Sequence, residues 1–112
     1  MSSLHKKSVK LFSKYQPVFD ALSNKLRQTI MFTLAEAAEA GSPLSVHELA
    51  EQTTLSRPTI SHHIKILHDA RLVEPTKSGT QIFYRPRFET PLAMAKEFTE
   101  ALEAMKTKQG GK

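Results

Sequence analysis

Residues 45–70, SVHELAEQTTLSRPTISHHIKILHDA, hold the pattern that decides the fold. Ser45-Val46-His47-Glu48 has the form of a capping box, in which the serine hydroxyl accepts from the third helical N–H and the glutamate reaches back to the serine N–H. A short helix is expected from there to about Thr53. Thr53-Thr54-Leu55-Ser56 makes a tight turn, and Ser56 caps a second helix over Arg57–Ala70. Pro58 is tolerated in its first turn, where the missing N–H has no partner to lose. Two short helices flanking such a turn form a helix-turn-helix. Along the second, Ile60, His63, Ile64 and Leu67 fall at i, i+3, i+4 and i+7 and make the inward stripe. Pro58, Ser61, His62, Lys65 and Asp69 share the opposite half.

On the C-terminal side, Val73–Lys77 and Gln81–Arg85 are strand-favouring runs around Lys77-Ser78-Gly79-Thr80, with Gly79 suited to the positive φ of a hairpin turn. Pro75 lacks an N–H and restricts its strand to an edge, as expected in a two-stranded hairpin with no third partner. Thr90-Pro91 opens a last helix that runs to about Thr107. Its Pro91, Ala95, Phe98, Leu102 and Met105 recur with a period near 3.5, a coiled-coil-like seam wider than a small domain needs for itself. On the N-terminal side, Leu4, Leu11, Tyr15, Val18 and Leu22 mark an amphipathic helix that Pro17 is expected to kink or divide. Ser23 or Asn24 caps the next helix, whose apolar positions Leu26, Ile30, Phe32, Leu34 and Ala37 continue to the Gly41-Ser42-Pro43 break.

The 112 residues make one domain, mainly α with a small β-hairpin, over 1–108, with 109–112 a disordered tail. Apolar residues are 39% and charged residues 24%, a globular composition. With no cysteine, disulfides, thiolate metal sites and a cysteine nucleophile are excluded. No apolar run approaches the roughly 18 residues that span a bilayer, so a cytoplasmic protein without a membrane partner is expected. Net charge is +5, and it comes in blocks. Residues 1–35 carry six Lys/Arg against one Asp, 36–56 carry four Glu and no base, and 57–87 carry six Lys/Arg against two acids. A basic bias over a helix-turn-helix and hairpin suits a nucleic-acid partner.

The order of elements, with DALSNKLRQTIMFTL (20–34), LSVHELAEQTTLSRPTISHHIKIL (44–67) and the basic hairpin, resembles the ArsR/SmtB family of winged helix-turn-helix repressors over roughly residues 15–88. SRPTISHHIKILHDARLV (56–73) is the most specific piece. The resemblance implies a homodimer joined through its first and last helices, a palindromic operator of double-stranded DNA, and often release by a metal or other inducer. Lys25 and Thr29 stand where family members often have proline and arginine, and Thr54 where the turn usually has glycine. A positive φ there strains a β-branched residue. The family's arsenic and cadmium sensors have two cysteines in the segment matching Leu44–Leu49, where this chain has Ser45 and His47. Its zinc sensors use Asp and His on the last helix, and residues 88–112 contain no histidine.

Neither a metal nor another cofactor is expected, since zinc needs about four converging ligands. His62 and His63, adjacent on a helix, point about 100° apart. His47 with Glu48 or Glu51 reads first as a surface histidine on a capped helix, and His63 as a half-buried residue with one ring nitrogen hydrogen-bonded. No nucleophile elbow or glycine-rich phosphate loop supports an enzyme. The expected DNA contacts are Ser56, Arg57, Thr59, Ser61, His62 and Lys65 on the recognition helix, with Arg57 and Lys65 reaching guanine or phosphate. Lys77, Ser78, Thr80 and Gln81 of the wing tip are read as phosphate or minor-groove contacts. Leu11, Tyr15, Phe98, Leu102 and Met105 are the expected dimer seam. A winged-helix module for protein assembly and a non-specific architectural DNA binder are the alternative functions. The operator, the regulated genes, the sign of regulation and any inducer are left open by the residues.

Overall fold

The computed structural model of the chain describes residues 2–110. Five helices and three strands follow in the order α1 (Ser3–Leu22), α2 (Lys25–Glu39), β1 (Leu44–Ser45), α3 (Val46–Thr53), α4 (Arg57–Asp69), β2 (Val73–Ser78), β3 (Gln81–Pro86) and α5 (Glu89–Gly110). Each helix start has a local cause where a cap is seen. Ser2 accepts from the N–H of His5, Asn24 from Arg27 and Ser56 from Thr59, while Ser45 and Glu48 complete the reciprocal capping box.

The core gathers one stripe from each helix of the central trio. Ile30 and Leu34 of α2, Leu49 of α3, and Ile60, Ile64 and Leu67 of α4 close on Leu72 and Val73, with Val18 and Ala21 of α1 at the side. Burying each large aliphatic side chain contributes about 1.5–3 kcal/mol. The inward stripe read from α4 is the buried set of that helix, His63 included. Helix α4 ends in a Schellman turn: the Leu72 N–H donates to the Leu67 carbonyl at 2.9 Å and the Arg71 N–H to the His68 carbonyl at 2.9 Å. Arg71 takes φ 62° there.

Three sequence expectations change. The sheet has three antiparallel strands in the order β1-β3-β2, because Leu44 and Ser45 pair with Tyr84 and Phe83. A two-residue strand squeezed between a proline and a cap carries no alternation to read. Pro75 does sit on the edge strand, opposite Tyr84, and Gly79 takes φ +63° in the hairpin loop. Helix α1 runs unbroken through Pro17. Pro17 and Ser13 are both exposed, so water can take the carbonyl that the proline leaves without an N–H, while Tyr15 and Val18 anchor the helix on its inner side. Helix α5 extends through Gly110, so Gln109 and Gly110 belong to the helix; 111–112 of the expected tail lie outside the described residues.

Helices α1 and α5 pack together at the edge of the core and lengthen the molecule. The principal extents are 59 × 25 × 24 Å and the radius of gyration is 17.4 Å, against about 13 Å for a compact chain of this length.

Candidate nucleic-acid interface

The turn between α3 and α4 sets the recognition helix. Thr54 caps α3 in the left-handed region at φ 59° and ψ 18°, and Ser56 then restarts the chain as N-cap of α4. The β-branched residue is held where glycine is at ease. Buttressed on the core by Ile60, His63, Ile64 and Leu67, α4 turns Arg57, Ser61, His62 and Lys65 to solvent. The wing tip leaves Lys77, Ser78, Thr80 and Gln81 exposed, with Ser78 paired to Gln81 across the loop.

Two of the expected contacts are constrained, one by its hydrogen bonds and the other by burial. Ser56 spends its hydroxyl on the cap, accepting from the Thr59 N–H at 3.3 Å and donating to the Thr59 hydroxyl at 2.8 Å. Thr59 is half-buried rather than facing away from the core. The two cations are already engaged: Lys65 Nζ lies 3.2 Å from Asp69 Oδ2, and Arg57 Nη2 meets His47 Nδ1. Lys65 and Asp69 are both solvent-exposed, so that pair yields readily to a phosphate.

A cleft of about 380 Å³ brings Arg57 and Ser61 of α4 together with Thr80 and Gln81 of the wing and with His47 of α3. A neighbouring groove of about 320 Å³ runs between α4 and the sheet, lined by Ser61, Lys65, His68, Pro75, Ile82 and Tyr84. Ser61 borders both and His62 borders neither. No Asp or Glu lines either one, so their walls favour an anion.

Behind this face, Arg27 is a residue that periodicity does not single out. Its Nε donates to the Ala21 carbonyl at 2.7 Å and its Nη2 to the Asp20 carbonyl at 3.2 Å, satisfying the C-terminal end of α1. Its Nη1 contacts His63 Nδ1 at 3.2 Å. Arginine can only donate, so Nδ1 accepts and a neutral His63 carries its proton on Nε2. Burial, then the nearby Arg27 charge, then His62, hold the His63 pKa below the ordinary histidine value. The hydrogen-bonded ring nitrogen expected of His63 is Nδ1, but the residue is buried rather than half-buried, with 8% exposed.

The residues expected in a dimer seam divide. Tyr15 is 6% exposed and turned into its own chain, where its hydroxyl bonds Glu97 Oε2. Phe98 is half-buried, edge-on to Phe12 at 4.8 Å and to Phe19 at 5.3 Å. Lys14 Nζ reaches Glu97 Oε1 at 3.0 Å. Part of the α5 stripe is thus consumed inside the chain, which corrects the placing of Tyr15 at an outer surface. Leu11 and Met105 are half-buried, and Leu102 is 60% exposed. Among the described residues no three His, Asp or Glu side chains converge as a metal requires, and no helix is long and apolar enough to cross a membrane.

A helix-turn-helix followed by a β-wing, with cations on the outward face of its second helix, defines a winged helix-turn-helix protein. The model of the bacterial regulatory protein, arsR family, matches residues 24–75. The transcriptional repressor SdpR of Bacillus subtilis is 33% identical over 67 residues, covering 60% of this chain and 69% of SdpR. The HTH-type transcriptional regulator KmtR of Mycobacterium tuberculosis is 40% identical over 68 residues, 61% of this chain and 48% of KmtR. Among solved structures, the ArsR-like transcriptional regulator from Rhodococcus sp. RHA1 superposes with a TM-score of 0.80 at 25% identity, over 89% of this chain and 90% of that one. The chain belongs to the arsR family of bacterial regulatory proteins. It spans about half the length of KmtR.

Proposed function

We propose that the chain is a cytoplasmic, homodimeric transcriptional repressor that lays α4 in the major groove of each half of a palindromic operator and sets the wing tip on the flanking backbone. One observation carries this: α4 buries its apolar stripe while Arg57 and Ser61 face solvent beside Thr80 and Gln81 in a single cleft free of carboxylates. In such a pose Arg57 and Lys65 contact guanine or phosphate, Ser61 and His62 meet base edges, and Lys77, Ser78, Thr80 and Gln81 hold the backbone. Thr59 contributes through its methyl side and Ser56 through the cap that orients the first turn.

The dimer is supported by what α1 and α5 leave uncovered. Phe12 is 49% and Leu102 60% exposed on the two helices that make the molecule long. Covering them with a second copy gains roughly 1.5–3 kcal/mol for each side chain fully buried. A two-fold pair then places its recognition helices about one DNA turn apart, which is why the operator should be palindromic. Zinc, cadmium and arsenite are not expected to release the DNA, because the family's familiar ligand positions hold Ser45 and His47 here and residues 88–112 have no histidine. Membership of a family of regulators sets catalysis aside.

Selection from random duplexes at about 150 mM salt tests the function. Recovery of a palindromic consensus is the expected result. Retention of duplexes without a consensus points to an architectural binder, and no retention at all to a protein-assembly module.

A further inference from the structure

Arg57, the cation best placed to enter the groove, is not free in the unbound protein. Its Nη2 bonds His47 Nδ1 across the helix-turn-helix, and His47 Nε2 lies 3.3 Å from Glu51 Oε1 one turn further along α3. A guanidinium only donates and a carboxylate only accepts, so the two partners select one state of the ring: neutral imidazole, lone pair on Nδ1, proton on Nε2. Glu51 thereby fixes the ring and the ring fixes the arginine. Both His47 and Glu51 are exposed, so neither is needed to fill the core.

We propose that His47, oriented by Glu51, is the positioning residue for Arg57 and makes the engagement of DNA by Arg57 depend on whether the imidazole is protonated. The proposal rests on the DNA interface argued above. A proton on Nδ1 occupies the lone pair that Arg57 uses and sets a second cation against the guanidinium. The arginine is then released toward solvent, while Glu51 retains the imidazolium through Nε2–H. The groups facing the ring allow this. From α4 it meets Arg57 alone among the charged residues of the cleft, and the wing residues there, Thr80, Gln81, Ile82 and Tyr84, include no acid or base that is charged near neutrality. On its own helix, Glu48 is committed to the Ser45 N–H at 3.0 Å, which leaves Glu51 as the counter-charge. Release of Arg57 and the added positive charge both favour a phosphate, so acidification tightens binding.

The test uses the full chain, the duplex recovered from the random pool, and two pH values, about 8 and about 5.5, which bracket the range in which histidines titrate. The readout is the ratio of affinities at the two. Wild type should gain about tenfold on acidification, with a salt slope steeper by about one unit. In His47→Gln the amide oxygen still accepts from Arg57 but does not titrate, and the gain should vanish. In His62→Gln and in His68→Gln, which remove the other exposed imidazoles of α4, it should persist. A gain kept in His47→Gln, or lost only in His62→Gln or His68→Gln, overturns the proposal. Nitrogen-15 NMR of the free wild-type protein supplies an arm independent of DNA. His47 should show the Nε2–H form, and the Arg57 guanidinium resonances should move with pH in wild type and stay fixed in His47→Gln. The Nδ1–H form, or a pH-independent Arg57, overturns the coupling even if DNA binds. Coupling without retention of any duplex at either pH instead overturns the interface reading, and the proposal falls with it.

Discussion

Helices α2, α3 and α4 and the pair α1–α5 are built from the same kind of apolar stripe, yet they end in different states. In the first group Ile30, Leu34, Leu49, Ile60, Ile64 and Leu67 are shut from solvent by one another and by the sheet. In the second, Phe98 finds Phe12, Phe19 and Tyr15, but Leu92 is 67% exposed and Leu102 and Phe12 remain open. The helix-turn-helix thus closes its core within one chain, although Leu26 and Phe32 of α2 stay 40% and 73% exposed. The terminal helices leave apolar side chains uncovered within one chain, and under the proposed dimer a second copy would cover them.

The sharpest break of this contrast is a pair of leucine substitutions. Leu67→Ala, at a site with no solvent exposure, should cost the protomer about 2–5 kcal/mol in denaturant unfolding. Leu102→Asp should change protomer stability by less than about 1 kcal/mol yet convert a dimer to monomers in sedimentation at micromolar concentration. A dimer that survives Leu102→Asp would mean that α5 is finished after all.

Arg27 ties the two regions, since it bonds the last carbonyls of α1 and His63 of α4. Arg27→Ala should lower unfolding free energy by about 1–2 kcal/mol, because it leaves two part-buried acceptors, the Ala21 carbonyl and His63 Nδ1, without a donor. Arg27→Lys should recover only part of that, as an ammonium lacks the planar fork that serves three acceptors. A neutral effect of both would show that α1 is held by packing alone.

His63 gives the helix-turn-helix a pH dependence. Its folded pKa lies below 6.5, so beneath about pH 6.5 the unfolded chain takes up a proton that the folded site resists. Stability should fall as pH drops through that window and level off once the folded ring protonates as well. His63→Gln, which keeps an acceptor near Arg27, should flatten the dependence of the denaturant midpoint on pH. An unchanged slope would remove His63 as its source.

The smallest effect is expected at the turn itself. Thr54→Gly should raise stability by about 0.5–1 kcal/mol, the relief of left-handed strain less the extra freedom glycine brings to the unfolded chain. Thr54 is exposed, so no burial is lost in the exchange. A destabilised glycine variant would show that the bond from the Thr54 hydroxyl to the Thr53 carbonyl outweighs the strain.

The helix-turn-helix was legible because its signals are local. The capping box at Ser45–Glu48, the cap at Ser56 and the i, i+3, i+4, i+7 stripe of α4 each lie within a few residues, and the structure keeps all of them. What escaped depends on where distant pieces meet. The stripe on α5 shows that Phe98 needs cover but not that Phe12 and Phe19 provide it, and the same ambiguity put Tyr15 on an outer face. Leu44 and Ser45 become a strand only because Phe83 and Tyr84 arrive beside them. Arg57 reads as an open cation from its own helix, and its contact with His47 follows from the angle at which α3 and α4 cross, which no spacing encodes.

The central claim, that the outward face of α4 reads DNA, is met most directly by titrating wild type and Arg57→Ala against the selected duplex over a range of salt. Loss of a base contact should weaken binding by about 1–3 kcal/mol, and loss of a phosphate contact should flatten the salt slope by about one unit, in a variant that is still a folded dimer. Affinity and slope both equal to wild type would contradict the claim.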